Sequence, residues 1–118
     1  MALLMGIAPI IGISIHNARL LEQRSKQFNS TLQVLSASID ARDFLTAGHS
    51  EKVTKYSVGI CKALGISEEE TEMIRVAAML QDYGKIGVPD FILKKDGKLT
   101  EDERALVETH PSKTREIL

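Results

Sequence analysis

At 118 residues the chain has room for one domain, or for part of one joined to a connecting helix. A net charge of −1 supplies no field to gather nucleic acid or an anionic membrane, and a single cysteine, Cys61, excludes an intramolecular disulfide. With 43% hydrophobic residues but only 4% aromatic and no tryptophan, the core must be aliphatic, which favours packed helices over a sandwich or barrel.

The apolar start, Met1 to Ile15, lacks a basic leader and is interrupted by Gly6, Pro9 and Gly12. It is also shorter than the roughly 20 residues that span a bilayer, so a packed helix cut from a larger neighbour, with no membrane partner, is preferred to the alternative of a secretory signal or membrane anchor. From Ile11 a heptad pattern runs through Ser14, Ala18, Leu21, Ser25, Phe28, Leu32, Leu35 and Ile39, with Arg19, Glu22, Arg24, Lys26 and Gln33 on the solvated face. Two readings stay open: a parallel dimer helix that relays a signal, or an amphipathic helix packed on its own domain. Near Ile39 the second is preferred.

A second helix is expected from His49 to about Leu64, capped by Thr46 or Ser50, with Val53, Tyr56, Ile60 and Leu64 as its apolar stripe and Gly65 at the left-handed C-terminal position. Ser67 and Glu70 form a capping box that opens a third helix, apolar and buried toward Leu80. Tyr83 to Val88 reads as an ordered loop, and Pro89 suits the first turn of a short helix carrying Phe91, Ile92 and Leu93. Lys95-Asp96-Gly97-Lys98 is a turn, and Thr100 with Glu103 caps a helix reaching His110, where Pro111 imposes a kink. Ser112 to Leu118 has helical composition without a stop signal, so the chain reads as cut, leaving Ala77, Leu80, Leu93 and Leu106 open and inviting self-association or partial disorder after Pro111. No strand pattern is present, and the predicted fold class is all-α.

The chemistry centres on His49, Asp82 and His110, with Lys85 close by. His49 and Asp82 each lie about 16 residues from the turn at Gly65-Ile66, so two antiparallel arms of about 24 Å return them to one end of a hairpin. An imidazole and a carboxylate meeting there make a half-site for a divalent transition metal. The alternative is an N-terminal histidine and a C-capping aspartate with no ligand, and spacing leaves both open.

The stretch Gln81-Asp82-Tyr83-Gly84-Lys85-Ile86-Gly87-Val88-Pro89-Asp90 resembles the HD superfamily and, within it, the HD-GYP phosphodiesterases of bacterial second-messenger signalling. The likeness extends to Asp43 through Val53, Ile92-Leu93-Lys94, Gly97-Lys98-Leu99-Thr100, Glu103, His110-Pro111 and Ile117-Leu118, covering Leu35 onward as a partial HD-GYP helical bundle. Residues 1–34 are then the end of a sensor domain and a linker helix, where His16-Asn17-Ala18-Arg19-Leu20 is similar to the last helix of a GAF domain. The resemblance implies iron or manganese ions and a metal-bridging hydroxide that opens cyclic di-GMP. It implies His49, Asp82 and His110 as metal ligands, Asp82 as the carboxylate bridging two ions, and Lys85 as the group on the scissile phosphate. Apart from the resemblance, the lone Cys61 makes a reducing cytoplasm the natural setting, and the dimer reading of the heptad pattern gives a homodimer through the N-terminal helix.

Two departures weigh against catalysis. Gln81 stands where the family has the first histidine of its doublet, and an amide is a poor substitute for an imidazole ligand. The paired histidines, Gly-Tyr-Pro loop and last aspartate of the family are not in these residues. The expectation is a degenerate, truncated HD-GYP segment, inactive as given, with metal weak or absent. The alternatives are a dimeric relay module with a vestigial site, or a fragment of an active enzyme.

Overall fold

The computed structural model describes residues 1–43 and 47–118. Among these it is all-α, with six α-helices: α1 Ala2–Arg42, α2 His49–Ala63, α3 Glu68–Leu80, α4 Asp90–Leu93, α5 Glu101–Val107 and α6 His110–Ile117. A 3-10 turn, Tyr83–Gly87, takes the place of the expected loop after α3. The chain divides into two units, Met1–Thr31 and Leu32–Leu118.

In the first unit, helix continues through Gly6, Pro9 and Gly12 rather than being interrupted there. Proline removes one helical N–H, but the Leu, Met, Ala and Ile residues on either side carry the turn past it. Every residue from Met1 to Phe28 is exposed. By length and composition alone, α1 is long and apolar enough to cross a membrane.

The second unit holds the buried residues. Leu32 and Ile39, one heptad apart, are the buried positions of α1. Helices α2 and α3 pack on each other across a tight turn, closed as a Schellman motif: Ile66 N–H donates to the Cys61 carbonyl at 3.0 Å and Gly65 N–H to that of Lys62 at 3.2 Å. Gly65 takes the left-handed φ of 68° that this motif requires.

Several local expectations change. The cap of α2 is Gly48, at φ 71°, with no side-chain cap hydrogen bond. Thr46, one expected cap, lies outside the described residues, and the Ser50 hydroxyl instead donates to Asp40 Oδ1 at 2.8 Å. The stripe Tyr56, Ile60 and Leu64 faces outward, while Ser50 and Cys61 are the buried residues of α2. Small side chains there let the backbone approach its neighbours closely, and the Ser50–Asp40 bond satisfies the buried hydroxyl. Leu80 and Leu93, expected to lie open, are buried, and residues after Pro111 form α6. The helix break comes before His110, which is the first residue of α6.

The capping boxes shape the rest. Thr100 and Glu103 form the full reciprocal box, while the Ser67 hydroxyl accepts from Glu70 N–H and donates to its carboxylate. Val88, Ile92 and Leu93 make a small core closed by Leu99, Leu106 and Val107. Burying one such side chain contributes about 1.5–3 kcal/mol, so this core anchors residues 88–93.

The tightest approach is where the 3-10 turn meets α6. Gly84 N–H donates to Thr114 Oγ1 at 2.7 Å, and that hydroxyl also lies within 3.0 Å of the Gln81 carbonyl. A Cβ on Gly84 would fall on the carbonyl oxygen of His110 and lie 2.6 Å from Thr114 N. Gly59, inside α2, has nothing within 4 Å of its would-be Cβ. In urea denaturation, Gly84→Ala is therefore expected to lower stability by about 1–3 kcal/mol, whereas Gly59→Ala should raise it by up to about 1 kcal/mol. Equal effects of the two substitutions would show that the turn does not depend on this contact.

Candidate functional site

The site is built on the first residues after α3. Gln81 ends that helix and Asp82 opens the 3-10 turn, whose first bond runs from Lys85 N–H to the Asp82 carbonyl at 3.0 Å. This i, i+3 geometry also brings the two side chains together: Lys85 Nζ donates to Asp82 Oδ2 at 3.0 Å. A second carboxylate comes from the residue following α1, with Lys85 Nζ donating to Asp43 Oδ2 at 3.0 Å. All three are buried, Asp43 at 6% and Asp82 and Lys85 at 8% exposure.

Burial opposes the charged lysine, but the hydrogen bonds and charges of Asp82 and Asp43 outweigh it, so the Lys85 ammonium is held above its ordinary pKa. Each contact at about 3 Å is worth roughly 5 kcal/mol at an effective dielectric of about 20. Desolvation costs several kcal/mol per ion. The gross terms nearly cancel, so the cluster fixes geometry more than it adds net stability.

On the other side of Asp82, His110 Nε2 lies 3.2 Å from Oδ1. His110 Nδ1 is 2.7 Å from the Val107 carbonyl, which can only accept, so Nδ1 carries a proton and Nε2 is the nitrogen turned to the carboxylate. A backbone carbonyl on the far nitrogen is the usual way a protein orients a metal-binding histidine. Two ligands of one divalent ion sit roughly 3 Å apart, so Asp82 Oδ1 and His110 Nε2 are spaced for a shared cation.

The donor set goes no further. His49 is exposed at the start of α2 and makes no side-chain hydrogen bond or ion pair with a described residue. The buried face of α2 begins one residue later, at Ser50, which turns the His49 position outward. Among the described residues no three His, Cys, Asp or Glu side chains group as a metal site would need. Gln81 Nε2 is buried without a partner, and as an N–H donor it cannot bind a cation. Among the described residues Asp82 and His110 are the two that converge, and by themselves they do not complete a metal centre.

The structure thus brings Asp82, Lys85 and His110 together, while the exposed His49 makes no hydrogen bond or ion pair with them. It adds two residues that the sequence did not single out. One is Asp43. The other is Arg42, which donates to Asp90 Oδ1 at 2.6 Å and to the Val88 carbonyl at 3.1 Å. The available signal for Asp43 was its place at the head of the matching stretch Asp43 through Val53.

Known proteins share this stretch of chain. The profile of the HD domain matches residues 33–118. The chain is 40% identical over 97 residues to the cyclic di-GMP phosphodiesterase response regulator RpfG of Xanthomonas campestris, covering 82% of this chain and 25% of that protein. It is 45% identical over 80 residues to 3'3'-cGAMP-specific phosphodiesterase 3 of Vibrio cholerae, covering 68% and 17% respectively. Against a cyclic di-GMP phosphodiesterase of Thermotoga maritima it is 40% identical over 79 residues, covering 67% and 22%. The chain spans a quarter or less of the length of these curated relatives.

The raised Lys85 pKa has a direct consequence for stability. Because the folded value is raised, the contribution is complete below the unfolded lysine value of about 10.4 and is lost as pH rises through the folded value. Lys85→Met leaves two buried carboxylates without their cation and is expected to cost about 3–5 kcal/mol near neutral pH. The gap between wild type and variant should narrow in urea denaturation as pH climbs past the lysine range. A gap that stays constant there would show that the ammonium is not what holds the cluster.

Proposed function

The chain belongs to the HD-domain family, and on that premise we propose that it carries the front part of an HD-GYP-type cyclic dinucleotide phosphodiesterase whose metal site is degenerate. Family membership implies use of a divalent metal in general. That the metal is iron or manganese, that the substrate is cyclic di-GMP rather than cGAMP, and that the setting is cytoplasmic are parts of the proposal. Residues 1–34 are read as the end of a sensor domain with its linker helix, and 35–118 as the partial HD-GYP domain. Asp82 and His110 are assigned as metal ligands and Lys85 as the phosphate-facing cation; the exposed His49 is assigned as a further ligand that must turn inward to bind.

One observation supports the conclusion that these 118 residues do not hydrolyse a diester by themselves. Two donors, Asp82 Oδ1 and His110 Nε2, converge, while the place of the doublet's first histidine holds an amide whose N–H is orphaned. Exchanging an imidazole for that amide removes a strong donor and leaves a buried polar group that costs about 1–3 kcal/mol. The purified chain with added manganese is expected to show no turnover of cyclic di-GMP or of a chromogenic diester. Gln81→His is expected to raise bound manganese, measured by elemental analysis after dialysis. Metal-dependent turnover that disappears in Asp82→Ala would overturn the proposed inactivity. Unchanged metal content in Gln81→His would argue that the donors do not converge on an ion.

A second reading has its own support in the first unit. The heptad residues Ile11, Leu21 and Phe28 are exposed, at 52%, 66% and 52%, which leaves an apolar seam of the kind that a second copy of the helix covers. On this reading the chain is a dimeric relay module. Sedimentation equilibrium should then give a dimer for the wild type and a monomer for Phe28→Asp. A wild-type monomer at high micromolar concentration ends this reading without touching the first.

A further inference from the structure

Neither Arg42 nor Asp43 belongs to the set of ligands and phosphate-binding groups assigned above, yet both reach into the same short segment. Arg42 Nη2 donates to Asp90 Oδ1 at 2.6 Å and to the Val88 carbonyl at 3.1 Å, Nε donates to Asp90 Oδ1 at 3.2 Å, and Nη1 reaches the Lys85 carbonyl at 3.4 Å. Asp43 accepts from Lys85 Nζ at 3.0 Å. Two consecutive residues at the end of one helix therefore hold the segment Lys85–Asp90 by its backbone, by its terminal carboxylate and by its buried ammonium.

We propose that Arg42 and Asp43 are the positioning residues of this site, a clamp at the C-terminal end of α1 that sets the Lys85–Asp90 segment and keeps the Lys85 ammonium on Asp82.

The chemistry of each member suits that task. A guanidinium is a planar fork of donors, matched here to one carboxylate and two carbonyls, which a lysine in its place could not grip together. The Lys85 and Val88 carbonyls flank the last bond of the 3-10 turn, in which Val88 N–H donates to the Lys85 carbonyl at 2.9 Å. Arg42 thus braces the turn from outside while the Val88 side chain, 1% exposed, anchors it from within. Asp43 acts on the side chain: Lys85 has Asp82 on its own turn and Asp43 on a different element, so the direction of its ammonium is fixed only while the end of α1 stays in place. A shift of that end by one helical residue, about 1.5 Å, would break the 3.0 Å contact from Asp43 and leave Lys85 to Asp82 alone. This positioning role goes beyond the proposed function and stands whether or not the chain turns over a diester.

The test is local hydrogen exchange and amine reactivity on the full 118-residue chain. Arg42→Ala should speed exchange of the Lys85 and Val88 amides about tenfold while leaving the Arg104 and Glu108 amides of α5 unchanged. In reductive methylation, Lys85 of the wild type should react far more slowly than the exposed Lys52 and Lys55. Asp43→Asn should raise the Lys85 rate about tenfold, and Asp43→Glu, which keeps the charge, should restore most of the protection. A purely structural role would accelerate α5 and the turn alike, and that outcome overturns the proposal. So does an unchanged Lys85 rate in Asp43→Asn. Should Arg42→Ala fail to fold, Asp90→Ala removes only the exposed carboxylate partner of the fork and must still speed Val88 exchange selectively; no change there also overturns it.

Discussion

Everything placed at the candidate site depends on one buried ammonium. Lys85 is the cation between Asp43, which follows α1, and Asp82, which follows α3, so a single side chain ties two helix ends to the 3-10 turn. Because attraction and desolvation nearly cancel, its consequence is directional: each carboxylate has one oxygen fixed on Nζ. Asp82 is left with its other oxygen turned to His110. The two donors spaced for a cation are therefore a product of the lysine contact rather than an independent feature.

Close packing of the turn on α6 is the second constraint. Gly84 has no room for a Cβ, and Thr114 joins the turn to α6 by accepting the Gly84 N–H and facing the carbonyls of Gln81 and His110. This approach sets where His110 begins its helix and hence where Nε2 points. Arg42 secures the opposite side of the same segment. The site is thus held from α1, from α6 and from the small core under Val88, and among the described residues Asp82 and His110 are the donors that converge there.

Much of the fold was legible because its signals are local. Ser67 with Glu70, Thr100 with Glu103, and Gly65 each report hydrogen bonds made within a few residues, and each element begins or ends where they stand. The face of α2 was not legible. A hydrophobic stripe pointed to Tyr56, Ile60 and Leu64, but Ser50 can be buried because Asp40, ten residues away on another helix, accepts a hydrogen bond from its hydroxyl. Proximity of Asp82, Lys85 and His110 followed from a motif, whereas the roles of Arg42, Asp43 and Thr114 come from contacts more than 25 residues apart in sequence. No pattern within a helix announces such contacts. The placement of His49 shows the limit of counting residues along hairpin arms: equal arm lengths bring two positions to one end, but the rotation of a helix decides which way a side chain faces.

In this HD-domain segment a buried lysine fixes the carboxylate that faces His110. The most direct measurement is anomalous diffraction at the manganese edge from crystals of this chain grown with the ion. At most one peak is expected, on Asp82 and His110, with Lys85 still between Asp43 and Asp82. Two well-occupied peaks bridged by Asp82, with Lys85 displaced, would contradict that arrangement.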